Sequence, residues 1–283
     1  MQEEKEWDIV IKADQRGWGL QLQQILKYRD LIFLFVKRDF AAQYKQTILG
    51  PLWFFIQPVL MSITYTVIFG NIAGISVGGV PRILFYLGGI TVWNYFSETL
   101  MKTSDTFTAN ANLFEKVYFP RIITPLSIVV SNLIKLGVQL SLFLVVWAGF
   151  LIKGNEIIQP NGYIAIVPVL FILIGFLGLS CGILIASMTI KYRDLKYLVQ
   201  FSVQLLMYAT PIVYPLSQVP EKYKWLVLAN PMTSIVEAFK YAFLGVGEFN
   251  WLYLSYSTGF TLLLFAISLL IFNRVEKSFV DTV

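Results

Sequence analysis

Residues 163–190 read YIAIVPVLFILIGFLGLSCGILIASMTI, 28 residues without one charged side chain. A bilayer core about 30 Å thick needs about 20 mostly apolar residues per helical crossing, so this block is long enough to span. Five further stretches of the same kind lie outward from it, near 51–71, 83–100, 127–152, 197–214 and 252–272. The whole chain of 283 residues is 57% hydrophobic and 14% charged, with a mean hydropathy of +0.66, well outside the usual soluble range. The expected fold class is an all-α integral membrane protein with six transmembrane helices.

Around that core the chain divides into a polar N-terminus (1–17), an amphipathic segment (18–45), a membrane domain (46–275) and a short tail (276–283). The opening MQEEKEWDIVIKADQRG has no apolar run behind a basic start, so no signal peptide is expected and the first crossing serves as its own insertion signal. In 18–45, Leu22, Ile25, Leu26, Leu31, Phe35 and Phe40 form an apolar side, with Arg29, Lys37, Arg38 and Lys45 towards water or headgroups. That pattern predicts a helix lying in the membrane interface; the alternative is that 31–36 merely packs on the bundle. Gly50-Pro51 breaks the chain before the first crossing, and Pro58 predicts a kink within it. Residues 102–125 form a short polar connection, either a docking helix along the membrane face or a simple loop. Between the fifth and sixth stretches, two helix-like pieces near 221–229 and 232–244 are broken at Asn230-Pro231. Too short to cross, they are expected to be re-entrant or interfacial. The halves of the chain show no internal repeat.

With six crossings both termini share one side, and most of the 22 basic residues fall on it, in 5–45, 102–121, 191–196 and 274–277. The opposite side holds Arg82, Lys153, Lys222, Lys224 and Lys240. The excess of positive charge in cytoplasmic loops then places both termini in the cytoplasm. The net charge of +5 is thus a matter of topology, and no nucleic-acid partner is expected. Lys135 lies inside the third stretch, and an ionisable residue there is a functional candidate. Because 136–152 still meets the minimum span, Lys135 is expected to sit near the cytoplasmic boundary and snorkel.

No G-x-x-x-x-G-K-[ST] loop is present to cradle nucleotide phosphates, so energised work must draw on a partner or an ion gradient. Histidine is absent, which excludes Ser-His-Asp and Cys-His sites. Cys181, the single cysteine, forms no intramolecular disulfide and reads as a packing residue. The acids Glu156, Glu221, Glu237 and Glu248 are scattered, while Arg29-Asp30, Arg38-Asp39 and Arg193-Asp194 read as solvated pairs. No catalytic residue, metal or cofactor is therefore expected. Aromatic residues make up 16% of the chain. Tyr65, Phe69, Tyr86, Trp93, Tyr95 and Phe96 on the first two crossings, and Tyr208 and Tyr214 on the fifth, are candidates to contact a sugar, because rings stack on its apolar faces. For any one ring the competing reading is an interfacial anchor.

Five motifs occur in order: YRDLIFLFVKRDFAAQYKQTILGPLWFFIQP (28–58), NLFEKVYFPRIITPLS (112–127), KYRDLKYLVQF (191–201), ATPIVYPLSQVP (209–220) and LANPMTSIVEAFK (228–240). With the six crossings they resemble the permease subunit of ABC-2-type polysaccharide exporters, in the O-antigen and polysaccharide or polyol-phosphate branch, over nearly all of 20–275. The resemblance implies two paired permease copies in the bacterial inner membrane, with two separate ATPase subunits docked below and a channel for a lipid-linked glycan between the permeases. It implies a coupling helix around Asn112–Arg121, with Asn112, Leu113, Phe114, Glu115, Lys116, Tyr118, Phe119 and Arg121 as ATPase-coupling candidates. Arg193 and Asp194 fall in a second loop facing the ATPase. It matches 28–45 to an interface helix that helps admit the lipid-linked end, with Tyr28, Arg29, Lys37 and Arg38 as headgroup candidates, and 215–250 to short re-entrant periplasmic helices. O-antigen is the first expected cargo, with teichoic acid or capsule as alternatives. One departure is visible: Arg82 follows Pro81, where the family often carries an aromatic. The rival readings are an ABC-2 permease for a small lipid or drug, and an integral-membrane glycan transferase, which would need acids or a metal in a cleft.

Overall fold

The computed structural model describes residues 26–45, 47–117, 119–154, 156–189, 192 and 194–279. Among them every regular element is helical. Residues 18–25 of the amphipathic segment and the end of the tail lie outside the described residues.

Helix α1 (Arg29–Tyr44) buries Phe35 and Val36, and its Phe35 ring meets Phe119 edge-on at 5.6 Å. Gly50 then takes a positive φ of 48°, and Pro51 starts a 3₁₀ turn, where its missing N–H costs nothing. Helix α2 (Trp53–Tyr65) follows and carries Pro58. Its backbone passes into a wider π-helical turn over Thr66–Ile72, and the Ser62 hydroxyl donates to the Pro58 carbonyl at 2.7 Å.

Helix α3 (Arg82–Ser104) is the hub, with 16 of its 23 residues buried. The short helices α4 (Thr106–Ala109) and α5 (Ala111–Lys116) lead to α6 (Ile123–Ile152). After a 3₁₀ turn comes α7 (Val167–Thr189), whose Gly175, Gly178 and Gly182 face α3. Lipid tails are as apolar as leucine, so membrane helices associate by close packing, and small residues permit the backbones to approach. A Cβ on Gly182 would fall on Thr103 and 2.9 Å from the Leu100 carbonyl. Helix α8 (Leu195–Tyr208) buries only Val199, Val203 and Met207, one residue per turn. Then come α9 (Glu221–Ala229), α10 (Pro231–Leu244) and α11 (Trp251–Phe279).

The two pieces expected near 221–229 and 232–244 are thus α9 and α10, and the break between them is a cap. The Asn230 side chain accepts from the Met232 N–H at 3.0 Å, Pro231 fills the first turn, and Gly245 ends α10 in a left-handed conformation with φ 72°. Eleven of the 14 residues of α10 are buried, so it is a core element. Phe239 and Phe243 pack on Phe143 at 5.4 and 5.2 Å, and Trp147 donates to the Phe243 carbonyl at 2.8 Å.

Among the described residues four helical segments are long and apolar enough to cross a membrane: Gly50–Ile72, Ile123–Ile152, Gly162–Thr189 and Trp251–Arg274. The other two expected crossings differ. The second stretch forms α3, whose Arg82, Glu98 and Lys102 lower its apolarity and whose shielding comes from its neighbours. The fifth was expected over 197–214, but α8 stops at Tyr208, before Thr210-Pro211. Its 14 residues reach only about 21 Å at 1.5 Å each.

Contacts sort the connections into two ends. At one, α1 meets Phe119, Lys196 bonds Asp105 at 2.7 Å, and Phe107 stacks on Phe272 at 5.5 Å. At the other, Gln218 donates to the Ser76 carbonyl at 2.7 Å and Asn161 to the Tyr241 carbonyl at 2.9 Å. The basic-rich segments gather at the first end.

Candidate functional site

Helix α5 is a six-residue bracket fastened by its apolar side. Phe114 sits between Phe107 (6.1 Å) and Phe119 (5.7 Å), and the Arg121 guanidinium lies 5.6 Å above its ring. Through these rings the bracket touches α4, the start of α6 and, via Phe107 and Phe272, α11. Leu113, Phe114 and Arg121 are half-buried and Phe119 is buried, whereas Asn112, Lys116 and Asp194 face outward. The Glu115 side chain, Tyr118 and Arg193 lie outside the described residues.

Helix α1 caps this bracket. Tyr28 is half-buried beside the Phe35–Phe119 cluster, and Arg29 is exposed and 3.7 Å from Asp30. Arg38 holds Asp39 at 2.8 Å and donates to the Asn110 side chain at 3.4 Å. The expected division into two faces is incomplete. Phe33 and Leu34 are exposed, and Leu26 is on the outside as well, because α1 has protein on one side and open apolar surface on the other. Lys37 stands on the rim of a crevice lined by Phe33, Val36, Phe40 and Ile134.

Lys135 does not snorkel. It is 4% exposed and donates to Glu98 of α3 at 2.8 Å, and Lys102 reaches the same carboxylate oxygen at 3.6 Å. Its ammonium also lies 5.5 Å from the centre of the Phe54 ring. Asn94, Asn132 and Gln139 complete a polar notch between α3 and α6. The physical reason is local: a carboxylate one helix away offers the ammonium a partner nearer than the membrane boundary. Glu98 carried the missing signal, since an acid and a base in adjacent apolar stretches pair more readily than either ionises alone.

The eight aromatic candidates split. Tyr86, Trp93, Tyr95 and Phe96 are buried inside α3 packing, and Tyr65 is 7% exposed. Phe69 is half-buried, Tyr208 is 46% exposed, and Tyr214 donates to the Tyr208 carbonyl at 3.2 Å. Tyr65, Phe69 and Tyr86 form one edge-to-face cluster at the end away from α5, and the Tyr65 hydroxyl meets the Met207 sulfur of α8 at 3.6 Å. At this end Arg82 bonds Asn71 at 2.6 Å and lies across Gly70, joining α3 to the π-helical turn.

One feature of this end escaped sequence reading. Lys240, fully buried, donates to the carbonyls of Pro211 (2.5 Å) and Ile212 (3.4 Å) and lies 3.5 Å over the Phe85 ring. Burial pushes this ammonium down to about 7, against the pull of the Glu237 charge. Glu237 is raised, first by burial, while it accepts the Glu248 N–H at 2.9 Å. Lys224 in turn holds Glu248 at 2.9 Å. The chain of contacts ties α9 and α10 to the turn after α8. The Glu237-to-Lys240 spacing on one helix face was its only trace in the sequence.

The fold and these two ends define a helical integral membrane protein with a short helical bracket at one end and no catalytic centre among the described residues. The ABC-2 type transporter family matches residues 30–244, and the chain belongs to that family. Relatives include the O-antigen export system permease protein RfbA of Klebsiella pneumoniae, 27% identical over 254 residues that cover 89% of this chain and 94% of that one. The RfbA of Myxococcus xanthus is 29% identical over 224 residues, 78% of this chain and 83% of the relative. The polysialic acid transport protein KpsM of Escherichia coli is 24% identical over 267 residues, 92% and 97% of the two chains.

Proposed function

We propose that the chain is the membrane subunit of an ATP-driven exporter of a lipid-linked polysaccharide, with O-antigen-type glycan as the cargo and the bacterial inner membrane as its site. The observation that carries this reading is the outward face of α2 and α8. Gln57, Thr64, Gln200, Gln204 and Tyr208 all point away from the chain's own core. In a membrane such groups face protein or a water-filled path rather than lipid. A second copy set against that face encloses a polar path with Tyr208 and, at its outer end, Phe69 and Tyr214. The relatives' names supply the cargo class. Six crossings, with α3 and α8 completing the span inside the dimer, keep both termini cytoplasmic.

Energy enters through α5. Two copies of a separate ATPase dock on Asn112, Glu115, Lys116 and the 191–197 segment, and their motion passes through Phe114 and Phe119 into α1, α6 and α11. Helix α1 lies in the membrane interface and α9 and α10 form the outer gate. Deleting the gene in its host and assaying surface polysaccharide tests the reading. Wild-type chain restores the glycan, whereas Arg121→Ala inserts normally and fails to restore it. Normal surface glycan in the deletion strain would overturn the function, and full rescue by Arg121→Ala would overturn the coupling role. Purification of the tagged chain recovers an ATPase in equal amount.

A further inference from the structure

We propose that Lys102 and Lys135 form a binding site for the phosphate of a membrane-borne lipid, and that the Glu98 carboxylate occupies this site at rest. The inference rests on the export function only in identifying that lipid with the carrier end of the cargo.

Glu98 Oε2 stands 2.8 Å from the Lys135 ammonium and 3.6 Å from that of Lys102. One carboxylate serving two ammonium groups leaves a positive excess, and the remaining charges nearby do not remove it. Asp39 of α1 lies close enough to act on Lys102, but it is already paired with Arg38 at 2.8 Å. A salt bridge that only stapled α3 to α6 would need one base. Two bases converging on one oxygen describe the position of an anion with more charge than a carboxylate.

The surroundings suit such an anion. Asn94, Asn132 and Gln139 line the notch, and Asn132 is 1% exposed with its side-chain oxygen unpartnered. Its amide nitrogen is spent on the Thr99 hydroxyl at 3.2 Å. Turning the amide over lets Thr99 donate to the oxygen and offers the NH₂ to the notch, since the two ends are interchangeable. The space left beside Glu98 is about 10 Å³, room for a single water. A phosphate therefore enters only when Glu98 leaves, and Glu98, with 37% of its side chain exposed, has an open way out.

An apolar companion lies alongside. The crevice of about 300 Å³ lined by Phe33, Val36, Phe40 and Ile134 opens between α1 and α6, with Lys37 on its rim. The link between crevice and lysines runs through two rings: Phe40 packs at 5.9 Å on Phe54, and Lys135 lies 5.5 Å from the centre of the Phe54 ring. A hydrocarbon chain in the crevice delivers its headgroup to the lysines. A free phosphate has no use for that surface, so the occupant is an amphiphile.

The test is calorimetric titration of the full chain, in a phosphate-free maltoside detergent, with farnesyl diphosphate, inorganic pyrophosphate and farnesol. Wild type binds farnesyl diphosphate at least tenfold more tightly than either fragment. Glu98→Gln tightens binding about tenfold by removing the internal competitor, the scale of one charge-assisted hydrogen bond. Lys135→Met and Lys102→Met each weaken it about tenfold. The double change Glu98→Gln with Lys135→Met removes base and acid together, keeps the bundle free of an unpaired buried charge, and binds no more tightly than wild type. Glu98→Gln binding no tighter than wild type overturns the occupied-site proposal, as does unchanged binding in both lysine variants. Pyrophosphate as tight as farnesyl diphosphate overturns the lipid, and farnesol as tight overturns the phosphate. Glycan rescue by the wild-type chain is read separately: rescue without tightening in Glu98→Gln removes the site alone, and tightening without rescue removes the export function alone.

Discussion

Gly182→Ala adds one methyl group at the tightest point between α3 and α7. The new carbon would overlap Thr103, lie 2.8 Å from its Cγ2 and 2.9 Å from the backbone oxygen of Leu100. Ordinary carbon contacts are about 3.5–4.0 Å, and a backbone carbonyl cannot rotate aside as a long side chain can, so the helices must part by most of an ångström. Overpacking of this kind costs about 1–3 kcal/mol, set against about 0.5–1 kcal/mol that alanine gains over glycine inside a helix. The net expectation is a loss of up to about 2.5 kcal/mol, towards the upper part of that range because the contact is with backbone. Gly149→Ala is the matched control, because nothing lies within 4 Å of a Cβ there and only the gain remains. The two chemically identical changes should therefore move stability in opposite directions. Thermal unfolding of the purified chain in one detergent, followed by the fraction eluting as folded protein, reads the difference. Equal midpoints for Gly182→Ala and wild type would refute the claim that backbone contact, rather than helix propensity, governs this position.

The end with α9 and α10 gives two further expectations. Asn230→Ala removes both the cap of α10 and the 2.8 Å bond to the Thr210 hydroxyl, and should cost about 0.5–2 kcal/mol, seen as faster hydrogen exchange at 232–234. Lys240 has a pKa lowered by burial to about 7 from its ordinary 10.5, so between those values the unfolded chain binds the extra proton and stability rises with pH. Glu237, raised from 4.5 first by burial, gives the opposite slope upward from 4.5. The melting midpoint should climb from pH 7 to 9 in wild type and climb less steeply in Lys240→Met; equal slopes would remove Lys240 as the cause.

Legibility followed the range of the interaction. The Asn230-Pro231 break was readable because capping needs only neighbours in sequence, and it appears at the expected residue. The 163–190 and 127–152 stretches were readable because length and apolarity suffice to place a spanning helix. Lys135 was misplaced because snorkelling is judged along one helix, whereas its partner Glu98 lies on another, 37 residues away. The end of α8 was overestimated because the apolar run continues through Pro211 and Ile212, whose carbonyls are taken up by Lys240 instead of by further helix. Trp93, Tyr95 and Phe96 read as candidate lining, yet they are buried in α3, since composition cannot say which face of a helix is turned to a neighbour.

By itself the sequence determined that this is a helical membrane protein with no G-x-x-x-x-G-K-[ST] loop in it, and that two short helices break at Asn230-Pro231, because those properties follow from local hydropathy and turn chemistry. Only the tertiary structure decided that α3 is the hub, that two lysines meet one carboxylate between α3 and α6, and that α10 is clamped by a buried ammonium. Those outcomes depend on which side chains from distant segments come within a few ångströms, and in a membrane that is set by close packing and by the high cost of leaving a buried polar group without a partner.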